Sequence, residues 1–137
     1  MSKEIPMGVA LMLCDRVITD AVTQEKTLVA TFSQLHSMAF PCMHPRLTVF
    51  VAVTNGKGAI DTEVRCINET EQNSVVFAMK GMIQFNHPND VVEMGFQFNN
   101  LVFNKPGLHS IQFLCEGELV LQRRFQLSIF KSPSQQK

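Results

Sequence analysis

The chain has 137 residues, 45% of them hydrophobic and 18% charged, and its twelve basic and twelve acidic side chains cancel to zero net charge. That length suits one domain, and that composition is too apolar for a disordered chain. A balanced charge with scattered basic residues excludes the broad positive field by which proteins gather on nucleic acid or an anionic membrane, so neither is expected as a partner.

The first apolar run, Val9 to Cys14, is far shorter than the roughly 20 residues a bilayer-crossing helix needs. It runs straight into Asp15 and Arg16 with no small-residue cleavage site, so it reads as a buried strand rather than a leader. Asp15 to Lys26 is the one stretch with the look of a helical turn. Beyond it the hydrophobic period is two. Leu47, Val49, Val51 and Val53 share one face of a strand; Ile60, Thr62, Val64 and Cys66 share another; Val75, Phe77 and Met79 a third.

Further on, Val92, Met94, Phe96 and Phe98 alternate with polar residues or glycine, as do His109, Ile111, Phe113 and Cys115, with Leu114 the apolar exception. Leu119, Leu121, Arg123, Phe125, Leu127 and Ile129 form the last inward row, with Arg123 expected near the rim, where its stem packs and its head reaches water. Turn signals separate the runs: Asn55-Gly56-Lys57-Gly58, Asn86 to Asn89, Asn104 to Gly107, and Glu116-Gly117 as a two-residue hairpin loop. Gly56-Lys57-Gly58 lacks the spacing and the following helix of a phosphate loop and reads as a hairpin turn.

Many short strands with regular turns argue an all-β fold, specifically a two-sheet antiparallel β-sandwich. A single domain over 1–137 is expected, with its core at about 8–130 and a polar tail at 131–137.

The same residues carry a resemblance. An apolar strand runs into Cys14-Asp15-x-Val17. A hairpin with Lys26 leads to Phe32, and Phe40-Pro41-x-x-x-Pro45-Arg46-Leu47 opens the next strand. Then come Phe96-x-Phe98-x-Asn100-Leu101, Pro106-Gly107-x-His109-x-Ile111-x-Phe113, and Gly117. Together, over roughly Val9 to Phe130 by eye, these resemble a widespread bacterial family of small β-sandwich proteins known only as a domain of unknown function. The last block is similar to the closing hairpin of immunoglobulin-like sandwiches, in which an aromatic often stands where this chain has His109. The resemblance implies an immunoglobulin-like fold and transfers no catalytic residue.

The chemistry-bearing candidates are few. Cys14, Cys42, Cys66 and Cys115 have irregular spacings and no Cys-x-x-Cys pair, which suits free thiols in a reducing, cytoplasmic setting. There the sequon Asn68-Glu69-Thr70 has no meaning. His36, Cys42 and His44 offer zinc-compatible ligands in one loop, but their spacing matches no zinc motif and a fourth ligand is missing. Asp15, Asp20, Asp61 and Asp90 are single and far apart, a poor start for calcium.

With no Trp and no Tyr, the chain lacks the aromatics on which sugar-binding sandwiches lean, and the positive groove that single-strand binders need is missing. Eight methionines, among them Met38, Met43, Met79, Met82 and Met94, suit core filling first and an adaptable surface second. The expectation is a non-enzymatic structural or protein-interaction module with no cofactor and no catalytic or metal residue, acting through a protein partner or self-association, with exposed sheet edges as a second route to partners. The rival reading is a small-ligand or metal-binding domain using the 36–44 loop.

Overall fold

The computed structural model describes residues 4–129; the polar tail expected at 131–137 lies outside them. Ten strands and one short 3-10 turn make up the described chain. In order they are β1 (Met7–Cys14), β2 (Arg16–Thr19), β3 (Lys26–Val29), β4 (Gln34–Ser37), β5 (Cys42–Thr54) and β6 (Gly58–Asn68). After the turn Glu69–Glu71 come β7 (Ser74–Phe85), β8 (Val91–Phe103), β9 (Gly107–Cys115) and β10 (Glu118–Ile129). No helix among the described residues is long and apolar enough to cross a membrane.

The all-β expectation holds, but the arrangement is more varied than two antiparallel sheets. One sheet has the order β1-β5-β8, a second the order β4-β10-β9-β6-β7, and β2 and β3 form a separate two-stranded ribbon. The pairing of β4 with β10 is parallel, from Gln34 opposite Gln126 to Ser37 opposite Ile129. Nor is the 15–26 segment helical beyond one turn in its loop, where Gln24 N–H donates to the Asp20 carbonyl at 2.9 Å. It is the β2–β3 hairpin, whose turn closes when Asp20 Oδ1 accepts the N–H groups of Val22 and Thr23, both at 2.9 Å. A short side-chain acceptor favours such a turn over a helix start with nothing apolar to bury.

The core lies between the two larger sheets. Leu47, Val49, Val51 and Val53 are fully enclosed, and they face Ile60, Val64, Cys66, Ile111, Phe113 and Phe125 of the second sheet. Phe96 shares the inward phase, its ring 6.1 Å from Phe113. β5 is also buried on its other face at Thr48, Phe50 and Ala52. There the β2–β3 ribbon lies across it, with Val17 also close to Gly95 of β8. The ribbon is tied down by Asp15, whose carboxylate accepts two hydrogen bonds from Arg46, from Nε at 3.1 Å and Nη2 at 2.6 Å. Asp15 and Arg46 come from two separate blocks of the family resemblance, and the fold brings them together.

Bulges correct two of the inward assignments. An extra residue at Val120 opposite β9 turns Leu119 out, and one at Val76 opposite β6 turns Val75 out. A bulge shifts the side-chain phase by one, so each residue beyond it changes face. Met79 keeps the phase of Phe77 but stands half exposed on an edge strand, and Ile129 is exposed where β10 ends its pairing. Gly56-Lys57-Gly58 is not a hairpin turn either. It carries the chain from β5 in one sheet to β6 in the other, with Gly56 so close to the Phe85 ring that a Cβ would lie 2.3 Å from it. Glu116-Gly117 is the expected tight hairpin, with φ of 50° and 81°.

Phe113 is wholly buried, whereas Gln112 beside it lies on the other face, between Arg65 at 2.8 Å and Gln122 at 3.2 Å. Phe113→Ala should lose about 3–5 kcal/mol of the about 5–15 kcal/mol that holds such a domain. Gln112→Ala should lose at most about 1 kcal/mol. Urea melts of both variants check this; a larger loss for Gln112→Ala would mean the strand faces are reversed.

Candidate functional site

The structure separates the residues that the sequence offered as metal ligands. His36 lies on β4, its Nδ1 3.1 Å from Ser128 Oγ on β10. Cys42 and His44 lie on β5, opposite Phe103 and Leu101 of β8, and the His44 ring packs 6.2 Å from Phe32. Among the described residues no three His, Cys, Asp or Glu side chains converge. The four aspartates are equally dispersed: Asp15 is held by Arg46, Asp20 closes its own turn, and Asp61 and Asp90 sit in separate loop and strand contexts. Burial pushes the Cys66 thiol up to about 12, and burial with Glu116 nearby pushes Cys115 up to about 11. Both sulfurs are therefore thiols at neutral pH, in the state that reacts least.

A different group of residues lines a cavity beside the start of β7. β6 ends at Asn68, which caps the 3-10 turn: its Oδ1 accepts from Thr70 N at 3.0 Å and Glu71 N at 3.3 Å. Gln72 and Asn73, both with φ near 60°, reverse the chain into β7. Thr70 Oγ1 in turn accepts the N–H of Leu108 at 2.9 Å, locking the turn to the start of β9. Only a glycine fits beside it, because a Cβ on Gly107, whose φ is 134°, would lie 2.6 Å from Thr70 Oγ1.

Two residues on stands His109, directly between Asn68 on β6 and Phe125 on β10. Its ring stacks on Phe125 at 5.2 Å and meets Phe103 edge-on at 5.5 Å. Its Nδ1 is 3.0 Å from the Gly107 carbonyl. A carbonyl only accepts, so Nδ1 carries the proton.

Asn68 and His109 line a cavity of about 240 Å³ together with Glu71, Val75, Val102 and Lys105. Lys105 Nζ lies 3.7 Å from Glu71, so the charges at the rim cancel. Sequence reasoning singled out Asn68 only within a sequon, yet its side chain is buried and engaged in capping. The signal for His109 was present, as a polar residue heading an otherwise apolar inward row. Nothing local linked it to Asn68 or Lys105, which arrive from other loops.

The cavity opens on the flank where, among the described residues, β7 and β8 run as free sheet edges. β7 is twelve residues long, with Lys80 its sole charge and no proline. Val75, Met79 and Met82 on β7 and Val102 on β8 are exposed. Met38 and Met43 are exposed as well, so the methionines are less a core filling than expected; Met94 alone of the five packs on the core. Phe77 and Phe98, 4.5 Å apart, close the seam behind this flank.

Burial holds the His109 ring below the ordinary histidine value, against the opposing effect of its bond to Gly107. The folded protein therefore resists protonating a ring that the unfolded chain protonates freely. Stability contributed by neutral His109 is complete above about pH 6.5 and falls as the pH drops toward the lowered folded value. His44 acts in the same direction, also through burial. His109→Phe, which keeps a ring between Phe125 and Phe103, should lose less stability than the wild type between about pH 7 and about pH 5. Thermal melts across that window check the sign; equal slopes would place the loss elsewhere.

Comparison with known proteins adds no activity. No curated protein matches the chain. Among solved structures, a β-glucosidase from Listeria innocua in complex with isofagomine is similar over 90% of this chain and 16% of its own, at 12% identity and a TM-score of 0.47. The alkylpurine DNA glycosylase AlkC of Pseudomonas fluorescens, bound to DNA containing an abasic site analog, is similar over 86% of this chain and 30% of its own, at 7% identity and a TM-score of 0.41. The chain thus spans less than a third of either protein. Residues 9–128 match a family of unknown function, and over that span the chain belongs to DUF6941.

Proposed function

We propose that this protein is a non-enzymatic interaction module that recruits an extended segment of a partner by strand addition along β7. One observation carries the reading. β7 presents an unpaired edge twelve residues long, with a single charge and with Val75, Met79 and Met82 exposed along it. Proteins that avoid edge pairing shorten, charge or kink such strands, or place proline in them. This edge has one bulge near its start and little else to deter a new strand.

Main-chain hydrogen bonds would supply the affinity, and flexible thioethers beside the edge would adapt to the incoming side chains. In this reading the fold is an immunoglobulin-like sandwich of two principal sheets, and the cell compartment is a bacterial cytoplasm. The four cysteines, all free, support a reducing compartment.

Extended peptides selected on the immobilised protein should slow amide hydrogen exchange along β7. Met79→Lys, which adds a second charge in the phase of Phe77, should weaken them at least tenfold while changing the melting temperature by no more than a few degrees. Protection confined to the β2–β3 ribbon would move docking away from this edge and overturn the reading.

A further inference from the structure

We infer that the cavity beside β7 is a recognition pocket for a phenol, the tyrosine side chain of a partner segment. The inference rests on the strand-addition reading for how the side chain arrives, because Val75 belongs to both the cavity wall and the edge strand.

Beside the exposed polar residues Ser74 and Asn104, two buried polar side chains line the pocket. His109 and Asn68 are 1% and 4% exposed, yet each keeps a nitrogen with no partner among the described residues. His109 commits Nδ1–H to Gly107, which leaves Nε2 as an acceptor. Asn68 commits Oδ1 to the turn, which leaves its amide N–H groups as donors. Among the described residues, the side-chain atoms that are both fully enclosed and unpartnered are Thr62 Oγ1, Ser110 Oγ and Arg123 Nε. The His109 and Asn68 nitrogens are not among them, and both residues line the cavity.

A ligand group that satisfies both must donate and accept. A carboxylate cannot donate, and it would meet Glu71. An ammonium cannot accept, and it would meet Lys105. A hydroxyl does both. The Glu71–Lys105 pair leaves no net charge to attract an ion, and Val75 and Val102 provide an apolar wall for the body that carries the hydroxyl. A phenol is neutral at pH 7 and joins one hydroxyl to a flat apolar ring. The space is sufficient: a cavity of about 150 Å³ admits benzene, and this one measures about 240 Å³.

The occupant comes from another protein. The chain has no tyrosine, so a second copy of it cannot fill the pocket. The same absence, with that of tryptophan, makes the test direct, since a tyrosine probe fluoresces against no intrinsic background.

N-acetyl-L-tyrosinamide titrated with the protein should show a saturable rise in fluorescence anisotropy. N-acetyl-L-phenylalaninamide, which lacks the hydroxyl, should compete at least tenfold more weakly, because a site built to bond a hydroxyl is left with unpaired groups by its analogue. His109→Phe and Val102→Glu should each weaken the tyrosine probe at least tenfold. Val102 is 53% exposed, so its substitution leaves the fold intact even if His109→Phe does not. Equal competition by the phenylalanine probe, unchanged binding by both variants, or no rise at millimolar protein overturns the pocket.

A peptide of about eight residues with one central tyrosine separates the two readings. It should bind more tightly than the small probe and lose that advantage in Met79→Lys. A peptide no tighter than the probe ends strand addition and leaves the pocket standing; a peptide that binds where the probe does not ends the pocket alone.

Discussion

β5 has to be covered twice, and much of the architecture follows from that. Its inner row, Leu47 to Val53, is sealed by the five-stranded sheet, and its outer row, Thr48, Phe50 and Ala52, is nearly as deeply buried. A strand hidden on both faces reads as a continuous apolar run, which is how Leu47-Thr48-Val49-Phe50-Val51-Ala52-Val53 reads. One opposing sheet cannot serve both rows. The β2–β3 ribbon supplies the second cover, and because a lone two-stranded ribbon is marginal in water, it needs anchoring. The Asp15–Arg46 fork and the bond from Thr48 Oγ1 to the Asp15 carbonyl at 3.0 Å provide the anchor at the point where the chain leaves β1.

How much of this was legible in the sequence depended on distance along the chain. Alternation located most strands, since a half-buried strand writes its own period. Turn residues were found correctly, but not every destination was. Asn55 to Gly58 has the chemistry of a reversal whether the next strand pairs alongside or crosses to another sheet, and only packing decides between them. Bulges at Val76 and Val120 shifted the phase with no local residue to announce them. The candidate site was less visible still. His109 stood out in an apolar row, but its meaning depends on Asn68 and Phe125, its lateral neighbours across three strands.

The open flank and the cavity belong to one region because both arise where the two larger sheets fail to close on each other. β7 and β8 follow one another through the 86–90 loop without hydrogen-bonding together, so each ends a sheet. Paired aromatics close the middle of that seam, while at the Asn68 end the 3-10 turn and the start of β9 hold it apart. A buried imidazole fixed at one nitrogen and open at the other is unusual as filler, since buried polar groups ordinarily find partners. In the proposed reading it would act as a selector beside β7, with the edge itself contributing generic affinity.

The parallel pairing of β4 with β10 has a kinetic consequence. His36 and Ser128, which meet across it, are 92 positions apart in the chain. As the chain emerges in order, β4 appears early and finds no partner until most of the remaining strands have been made. Closing so long a loop brings no reward before the final strand arrives, which places this contact among the slow, non-local steps of folding. During that interval Phe32, Leu35 and Phe40, which later pack on the core, must wait with their apolar surfaces in water. Synthesis therefore passes through a stage in which the nascent protein is stickier than the finished one.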